Sequence, residues 1–451
     1  MNWFQAIQSL IDRVNSQEKP LQSRVVRLEV PVEPVDLIAW LYFQKSVAKL
    51  YWSARDTIFV IAGIGAAHEV KGSDLNEPQF AQLVSSLSTS SLCYVGGIQF
   101  GPLSNFNTHW QGFDGFRFVL PLIEIKQQGN DFTLACHINA SEEVSFECEK
   151  QKICEALNKM KMGSFPTPLE PFESIEVISS SCLPDKEQWK THVDAILSSI
   201  SGKILEKVVL AEQITRVCAA PIEAIKLIAY LKEQVQLAYH FYLQFEQGRA
   251  FLGASPERLY SRVQRRMQTE AQAGTRKRGV DTQDDERLAI ELRGSEKDRL
   301  EHGYVLNEVE GILQTLCLDY GIVNHREIVK FSHVQHLRSR LSGILKESVD
   351  DACILKKLHP TSAVCGLPSQ LAREKIQELE PFDRGYYAGA IGYLSGKSSE
   401  FAVGIRSALV HENQLIAYAG AGIVKGSQAE EEWQEIQNKM SLFARVCHDR
   451  C

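Results

Sequence analysis

The sequence has no long hydrophobic run, no paired-cysteine motif and none of the short signatures of the common hydrolases or nucleotide-binding proteins. No stretch approaches the ~18 apolar residues of a membrane span. The best, Ile58 to Ala67, is interrupted by Gly63 and Gly65, so no membrane association is expected. Eleven cysteines are scattered without a C-x-x-C. The close pairs Cys148/Cys154 and Cys447/Cys451 lack zinc-finger spacing. An odd number over a long chain reads as free thiols in a reducing cytoplasm. G-x-S-x-G, the P-loop and H-E-x-x-H are absent, which leaves nucleophilic hydrolase, nucleotidase and zincin readings unsupported. Gly63-Ile64-Gly65 follows a predicted strand, but His68 stands where a dinucleotide loop needs its third glycine. Positive charge is not in excess either. A net charge of −7 argues against a nucleic-acid partner. An anionic small molecule would need a local cationic site or a metal. The N-terminus lacks a signal-peptide pattern. Trp3, Phe4, Ile7, Leu10, Ile11 and Val14 instead fall at helical spacing, predicting an amphipathic helix docked on the body.

What is present is ordinary globular composition, 44% hydrophobic and 23% charged over 451 residues, ample for a large core. Residues 1–165 are rich in short β-like runs: Arg24 to Val30, Thr57 to Ala62, Phe116 to Glu124 and Asp131 to Ile138. Met160 to Pro171 reads as a connector. Helices are predicted over Lys190 to Ile200, Pro221 to Val235, Glu296 to Cys317 and Ser427 to Cys447, the third with Ser295 and Asp298 at its start as a capping-box variant. Strands are predicted over Lys207 to Ala211, Ala238 to Phe245 and Ala250 to Gly253. Gly389 to Leu394, Phe401 to Arg406 and Leu415 to Ala421 read as adjacent strands of one sheet. The order is not a βαβ alternation, so the expected class is α+β, with large antiparallel sheets packed face to face and helices outside.

Several residues are of the types that carry chemistry. On its strand, Lys207 shares a face with Val209 and Ala211. It reads either as an edge lysine reaching water or as a partly desolvated base. Glu257 follows a strand and a proline turn. It is either a solvated carboxylate beside Arg258 or an acid held protonated in a dry cleft. Thr269 to Thr275 is an ordinary turn or a small-residue wall that a ligand approaches closely. Asp298 with Glu301, and Glu432 with Glu435, are i, i+3 pairs on two helices. Each pair is a solvated face on its own; converging, the two would form an all-oxygen site of the kind Mg²⁺ prefers. Gly420 and Gly422, at a predicted strand end before a helix, offer backbone amides to a carboxylate, or a plain turn. Arg406, a cation in an apolar strand, implies a buried anion or a structural ion pair. Lys439 stands one turn after Glu435, at ion-pair spacing. His359 alone reads as a core histidine.

In their order along the chain these segments are more specific. KVVLA, FLGASPERL, TEAQAGT, SEKDRLEH, LHPTSAVCG, FDRGYYAGAIGY, AVGIRSA and YAGAGIVKGS…EEWQEIQNK resemble the chorismate-utilising enzyme family. Within it they are most similar to isochorismate synthases of the menaquinone type. The resemblance is specific over residues 190–445, the catalytic core of a single 1–451 chorismate-binding domain, and weaker before that, in YWSARD and AGIGA. It implies that Lys207 activates water for attack at C2 of chorismate and that Glu257 protonates the departing C4 hydroxyl. It implies Mg²⁺ on Glu301 and Glu435, with Asp298 and Glu432 acting through water. Arg406, Lys439 and the amides of Gly420 and Gly422 would bind the substrate carboxylates. Thr269, Gly274, Thr275, His359, Thr361 and Tyr393 would complete the substrate site.

Ala273 stands where the related aminodeoxychorismate synthases carry the lysine of a P-I-K-G-T motif. The L-L-E-S motif of anthranilate synthases is absent. Both points favour water as nucleophile, with no glutaminase subunit expected. Gln272 departs from the apolar residue usual at its position. A salicylate synthase, which also eliminates pyruvate, is the alternative enzyme. A catalytically silent binding protein on the same fold is the alternative of another class.

Overall fold

The structure is a computed structural model that describes residues 1–451 except 22–23, 89, 103–108, 163–167, 332–333 and 450–451. Period-2 apolar patterning, supplied by valine, isoleucine and aromatic residues, drives the chain into two large sheets. The first has thirteen strands, in the order Val25–Val32, Asp131–Asn139, Ile123–Gln128, Phe59–Ile64, Lys49–Ser53, Tyr239–Glu246, Arg249–Ser255, Ser407–His411, Gln414–Val424, Lys207–Cys218, Ile175–Leu183 and Cys447–Asp449, with Gly366–Leu367 beside the start of Lys207–Cys218. The second has nine among the described residues: Cys317–Lys330, Val334–Leu345, Arg266–Lys277, Arg258–Val263, Ser398–Val403, Ala390–Ser395, Cys93–Ile98, Phe116–Leu120 and His68–Gly72. Pairing is antiparallel except between Cys447–Asp449 and Ile175–Leu183.

The sheets pack face to face. The Phe59 ring from the first lies 4.5 Å from Tyr393 of the second, and the Tyr239 hydroxyl donates to Glu400 across the layer at 2.7 Å. Both sheets draw on the N-terminal part of the chain. Trp52 is in register with Phe241 in one, and Val95 with Tyr393 in the other. Helices lie outside. No helix among the described residues is long and apolar enough to cross a membrane.

The predicted elements are found with shifted ends. The N-terminal helix Trp3–Ser16 is capped by Asn2 and buries Trp3, Ile7, Leu10, Ile11 and Val14. Each large side chain so buried stabilises the docking by about 1.5–3 kcal/mol. Phe4, expected on the same face, is half exposed. Ser295 Oγ accepts from the Asp298 amide at the start of Glu296–Leu316.

Four expectations are corrected. The run Phe116 to Glu124 is two strands in different sheets, Phe116–Leu120 and Ile123–Gln128; Pro121, between them, has no N–H for a ladder. Leu415 to Ala421 lies in the first sheet, not beside Ala390–Ser395 and Ser398–Val403 in the second. Thr269 to Thr275 is a central strand segment, Arg266–Lys277, rather than a turn. The connector begins later than Met160, because the helix Phe146–Met162 runs through that residue; residues 163–167 of that segment lie outside the described residues.

The strand Lys207–Cys218 has an unusual edge. Gly366–Leu367 pairs with its first two residues and Ile175–Leu183 with its second half. Between these neighbours a buried ion pair takes the place of a strand. Glu380 accepts from the Ala211 amide at 2.8 Å. Arg384 donates to Val209 O at 2.7 Å and to Val364 O at 2.8 Å. The backbone groups beside Lys207 are thereby satisfied without a neighbouring strand.

Candidate active site

One cleft between the sheets gathers most of the singled-out residues. Its wall includes Val209, Glu257, Gln272, Ala273, Gly274, Thr275, Glu301, Arg406, Gly420, Gly422, Glu435 and Lys439. Glu257 is carried on the two-residue break between Arg249–Ser255 and Arg258–Val263. Arg55, from the YWSARD segment, holds that break by donating to Pro256 O at 3.0 Å and to Glu270 Oε2 at 3.0 Å. The neighbour Arg258, considered as a partner for Glu257, turns instead to Tyr239 at 2.8 Å and to Glu400. Glu257 is left buried, and burial pushes its carboxyl up to about 8, with nearby Glu270 adding to the rise and Lys207 and Lys439 opposing it.

Lys207 is fully buried. Its Nζ lies 3.1 Å from Glu301 Oε1, without the alignment of a hydrogen bond. It stands beside the cleft wall, against Gly422. A Cβ at Gly422 would meet Lys207 Cε at 3.1 Å and Glu301 Oε1 at 2.3 Å. Gly422→Ala is therefore expected to displace Glu301 and lower kcat/KM by about tenfold or more, or ~1.4 kcal/mol, with the melting temperature nearly unchanged. Steady-state kinetics beside thermal unfolding check this; full activity would remove the close approach from the argument.

Gly420 and Gly422 lie within Gln414–Val424 rather than at its end. Val209 is in register with Gly422 and Ala211 with Gly420. The Val209 and Ala211 backbone groups point the other way, to Cys365, Arg384 and Glu380. Both are thus non-hydrogen-bonded pairs, and the amides of Gly420 and Gly422 point to the opposite edge. Ser407–His411 covers that edge only as far as Ala417, so it is open to the cleft. Lys439 Nζ reaches the Gly420 carbonyl at 2.8 Å and pairs with Glu435 at 2.6 Å. Arg406, at a positive φ of 51°, donates to Lys439 O at 3.3 Å. Burial brings its guanidinium down to about 10, against the opposing pull of Glu435. A strained backbone at a cation on a ligand cleft is a common functional arrangement.

The acidic pairs are each held by a cation: Glu301 by Lys207, Glu435 by Lys439, Glu432 by Lys297 and Asp298 by Arg276 at 2.8 Å. Among the described residues no three His, Cys, Asp or Glu side chains are grouped closely enough to hold a metal ion. Each of these carboxylates is paired with an ammonium or guanidinium group instead. The donors nonetheless suit a divalent ion. Lys297 feels Glu432, Glu435 and Glu301 together. Glu432 is raised to about 7 by burial and by the charge of Glu435. Asp298 is raised by burial, with Glu301 contributing. Crowded, buried oxygen donors of this kind are what Mg²⁺ or Ca²⁺ relieves.

Four expected substrate residues lie off the cleft wall. Thr269 Oγ1 donates to Leu259 O at 2.7 Å. Tyr393 packs on Phe59 at the sheet interface. His359 is half-buried, with Nε2 2.8 Å from Gln99 O, and its desolvation lowers it to about 4. Thr361 is buried beside it; the same motif contributes Ala363 and Val364 to the wall instead.

Sequence reading missed His336, Tyr387 and Tyr418, all on the wall. Tyr387 and Tyr418 stack at 5.1 Å. His336 Nδ1 lies 3.2 Å from Gly274 O and 3.1 Å from Thr275 Oγ1. A carbonyl only accepts, so Nδ1 carries the proton and Nε2 is a buried acceptor without a partner among the described residues. Burial, Arg406 and Lys439 hold this ring neutral by lowering it to about 3.

Comparison with known proteins accords with this geometry. Residues 7–447 match the family described as chorismate binding enzyme. The chain is 34% identical to isochorismate synthase 2, chloroplastic, of Arabidopsis thaliana, over 96% of its own length and 83% of that protein. It is 32% identical to isochorismate synthase MenF of Haemophilus influenzae, over 98% and 96% of the two chains. The solved structure of MenF, the menaquinone-specific isochorismate synthase from Escherichia coli, superposes with a TM-score of 0.87 at 30% identity, over 98% of this chain and 99% of that one. The chain belongs to the chorismate binding enzyme family.

Proposed function

We propose that this protein is an isochorismate synthase, adding the oxygen of water at C2 of chorismate and releasing the C4 hydroxyl. The observation that carries the reading is one cleft lined by a buried carboxylic acid, Glu257, by the cations Arg406 and Lys439 and by Gly420 and Gly422, with the fully buried Lys207 beside its wall. Hydroxide is a poor leaving group, so departure from C4 needs a proton, and Glu257 is held in its protonated form. Water is a poor nucleophile, so attack at C2 needs a base, the role given to Lys207. The proton taken at C2 and the one given at C4 balance, and no other reactant is consumed. Arg406, Lys439 and the Gly420 and Gly422 amides hold the substrate carboxylates, with Gly274 and Thr275 on the facing wall. Glu301 and Glu435 would hold Mg²⁺ directly, with Asp298 and Glu432 acting through water. When bound, the ion neutralises these carboxylates, anchors a substrate carboxylate and draws electron density from the ring.

Incubation with chorismate, with and without Mg²⁺, followed by chromatography tests the reading. Isochorismate formed only with the metal is expected. Salicylate as the main product would replace this reading with that of a pyruvate-eliminating enzyme, and no turnover with intact chorismate binding would indicate a silent binder.

Gln272 lines the cleft with its Oε1 buried and without a partner among the described residues. No protein hydrogen bond among the described residues rests on that oxygen. Gln272→Leu is expected to keep isochorismate as product, with a rate change under about tenfold, or ~1.4 kcal/mol. Inactivity, or a switch to salicylate, would show that this position decides the chemistry.

A further inference from the structure

A second cavity, of about 720 Å³, lies on the face of the first sheet turned away from the catalytic cleft. Side-chain alternation separates the two faces. Tyr239, whose hydroxyl reaches Glu400, and the residues of its parity face the second sheet. Lys49 and its register partner Gln244, with Tyr242 and Ala250, face the other way and line this cavity. The helix Ala224–Gln234 begins at its rim, and Ile222, Ile225, Val410, Tyr42 and Tyr242 give it apolar walls.

Two independent features offer positive charge to the cavity. Lys49 is 9% exposed and makes no hydrogen bond or ion pair among the described residues. Burial alone pushes it down to about 8, with no carboxylate opposing the shift. A desolvated ammonium without a counter-charge is costly, and an anion in the cavity would relieve that cost. The second feature is the helix start. Glu223 occupies the N-cap position, but its side chain makes no capping bond. It accepts from the Tyr42 hydroxyl at 2.9 Å and pairs with Lys226 at 2.8 Å. The Ala224 amide is taken by Ile222 O at 2.9 Å and the Leu227 amide by Glu223 O at 3.1 Å, which leaves the amides of Ile225 and Lys226 and the positive end of the helix dipole at the rim. The other charged groups there are Glu412, which is exposed to solvent, and Arg249, which donates to Gln111 O at 2.6 Å and meets His411 at 3.1 Å.

We propose that this cavity binds a small organic acid, its carboxylate between the Lys49 ammonium and the helix amides and its apolar body against Ile222, Ile225 and Val410. The volume falls within the range of small-molecule sites, and one lysine with one helix end matches a single negative charge. The site is separate from the catalytic one: Ala250 lines the cavity, and the strand Arg249–Ser255 ends just before Glu257.

The test uses the full chain, with benzoate as probe and inorganic phosphate and chloride at matched ionic strength as comparisons. Acylation of Lys49 is followed by peptide mass spectrometry, and binding by calorimetry. Benzoate is expected to slow Lys49 acylation saturably while chloride does not. Lys49→Met is expected to weaken that binding by about tenfold or more, with chorismate turnover unchanged. Arg406→Met should retain the Lys49-dependent component, which separates it from benzoate in the catalytic cleft. Should Lys49→Met unfold, Ile225→Trp, which fills the cavity, is expected to remove the same component. Stronger protection by phosphate than by benzoate would overturn the organic-acid assignment. Protection by none of the anions, or equally by chloride, would overturn the site.

Discussion

Lys207→Ala and Glu257→Gln are each expected to lower kcat by at least about 10²-fold while chorismate binding is largely retained. Neither side chain is among the groups assigned to the substrate carboxylates, so truncation should act on the chemical step. Glutamine keeps the shape and a hydrogen-bond donor at position 257 but has no proton to transfer. The pH dependence separates proton donation from mere positioning. Burial disfavours the charged form of Glu257, so its carboxyl stays protonated until about 8. The donor is thus present below that pH and lost above it, and kcat/KM should fall as pH rises through about 8. In Glu257→Gln the residual rate should no longer fall there, because the titrating group is gone. A falling limb that survives in Glu257→Gln would take the acid role from this residue. Near wild-type turnover by Lys207→Ala would remove the base, even with the family assignment intact.

The parts of this site legible in the sequence are those where a residue type is out of place in its element. Lys207 and Arg406, each read as a cation in an apolar strand, and a carboxylate after a proline turn break a local pattern; Glu257 and Arg406 line the cleft, Lys207 stands beside it, and Arg406 proves to lie in the bend between Ser398–Val403 and Ser407–His411. Helix ends were readable from capping chemistry, as at Ser295. Sheet membership was not. Leu415 to Ala421 and Phe401 to Arg406 look alike as short apolar runs, and only non-local pairing assigns them to different sheets. The glycines of Gln414–Val424 read as a strand end offering amides to a carboxylate or as a plain turn, because composition alone cannot distinguish a loop from a strand edge left open for a ligand. His336 was missed for a similar reason. Its neighbours are ordinary strand residues, and its placement comes from register against Thr275 across two strands distant in sequence. The errors run the other way for Thr269, His359, Thr361 and Tyr393. Residues of the same segments line the cleft, among them Gln272, Ala363, Val364 and Tyr387, while these four side chains are not among its lining residues.

Glu301→Ala and Glu435→Ala are each expected to abolish Mg²⁺-dependent turnover and, independently of activity, to remove the rise in melting temperature that Mg²⁺ is expected to give the wild-type protein. An ion that binds only the folded state raises stability by mass action, so loss of a direct ligand should appear in unfolding as well as in rate. The large effect follows from the donor set. The two carboxylates lie on different helices, Glu296–Leu316 and Ala429–Ala444, and both line the cleft. An ion shared between them loses half of its direct protein donors with either substitution. Asp298 and Glu432 are off the cleft wall, held by Arg276 and Lys297. Asp298→Ala and Glu432→Ala should therefore lower Mg²⁺ affinity while sparing the rate at saturating metal. Glu301→Ala also frees Lys207 from its only ion-pair partner among the described residues, so its rate could fall for a reason unrelated to metal. Glu435→Ala, which leaves that pair intact, separates the two causes. If Glu435→Ala retains both turnover and the Mg²⁺-induced rise in melting temperature, the ion does not bridge these helices and the assigned metal site is wrong.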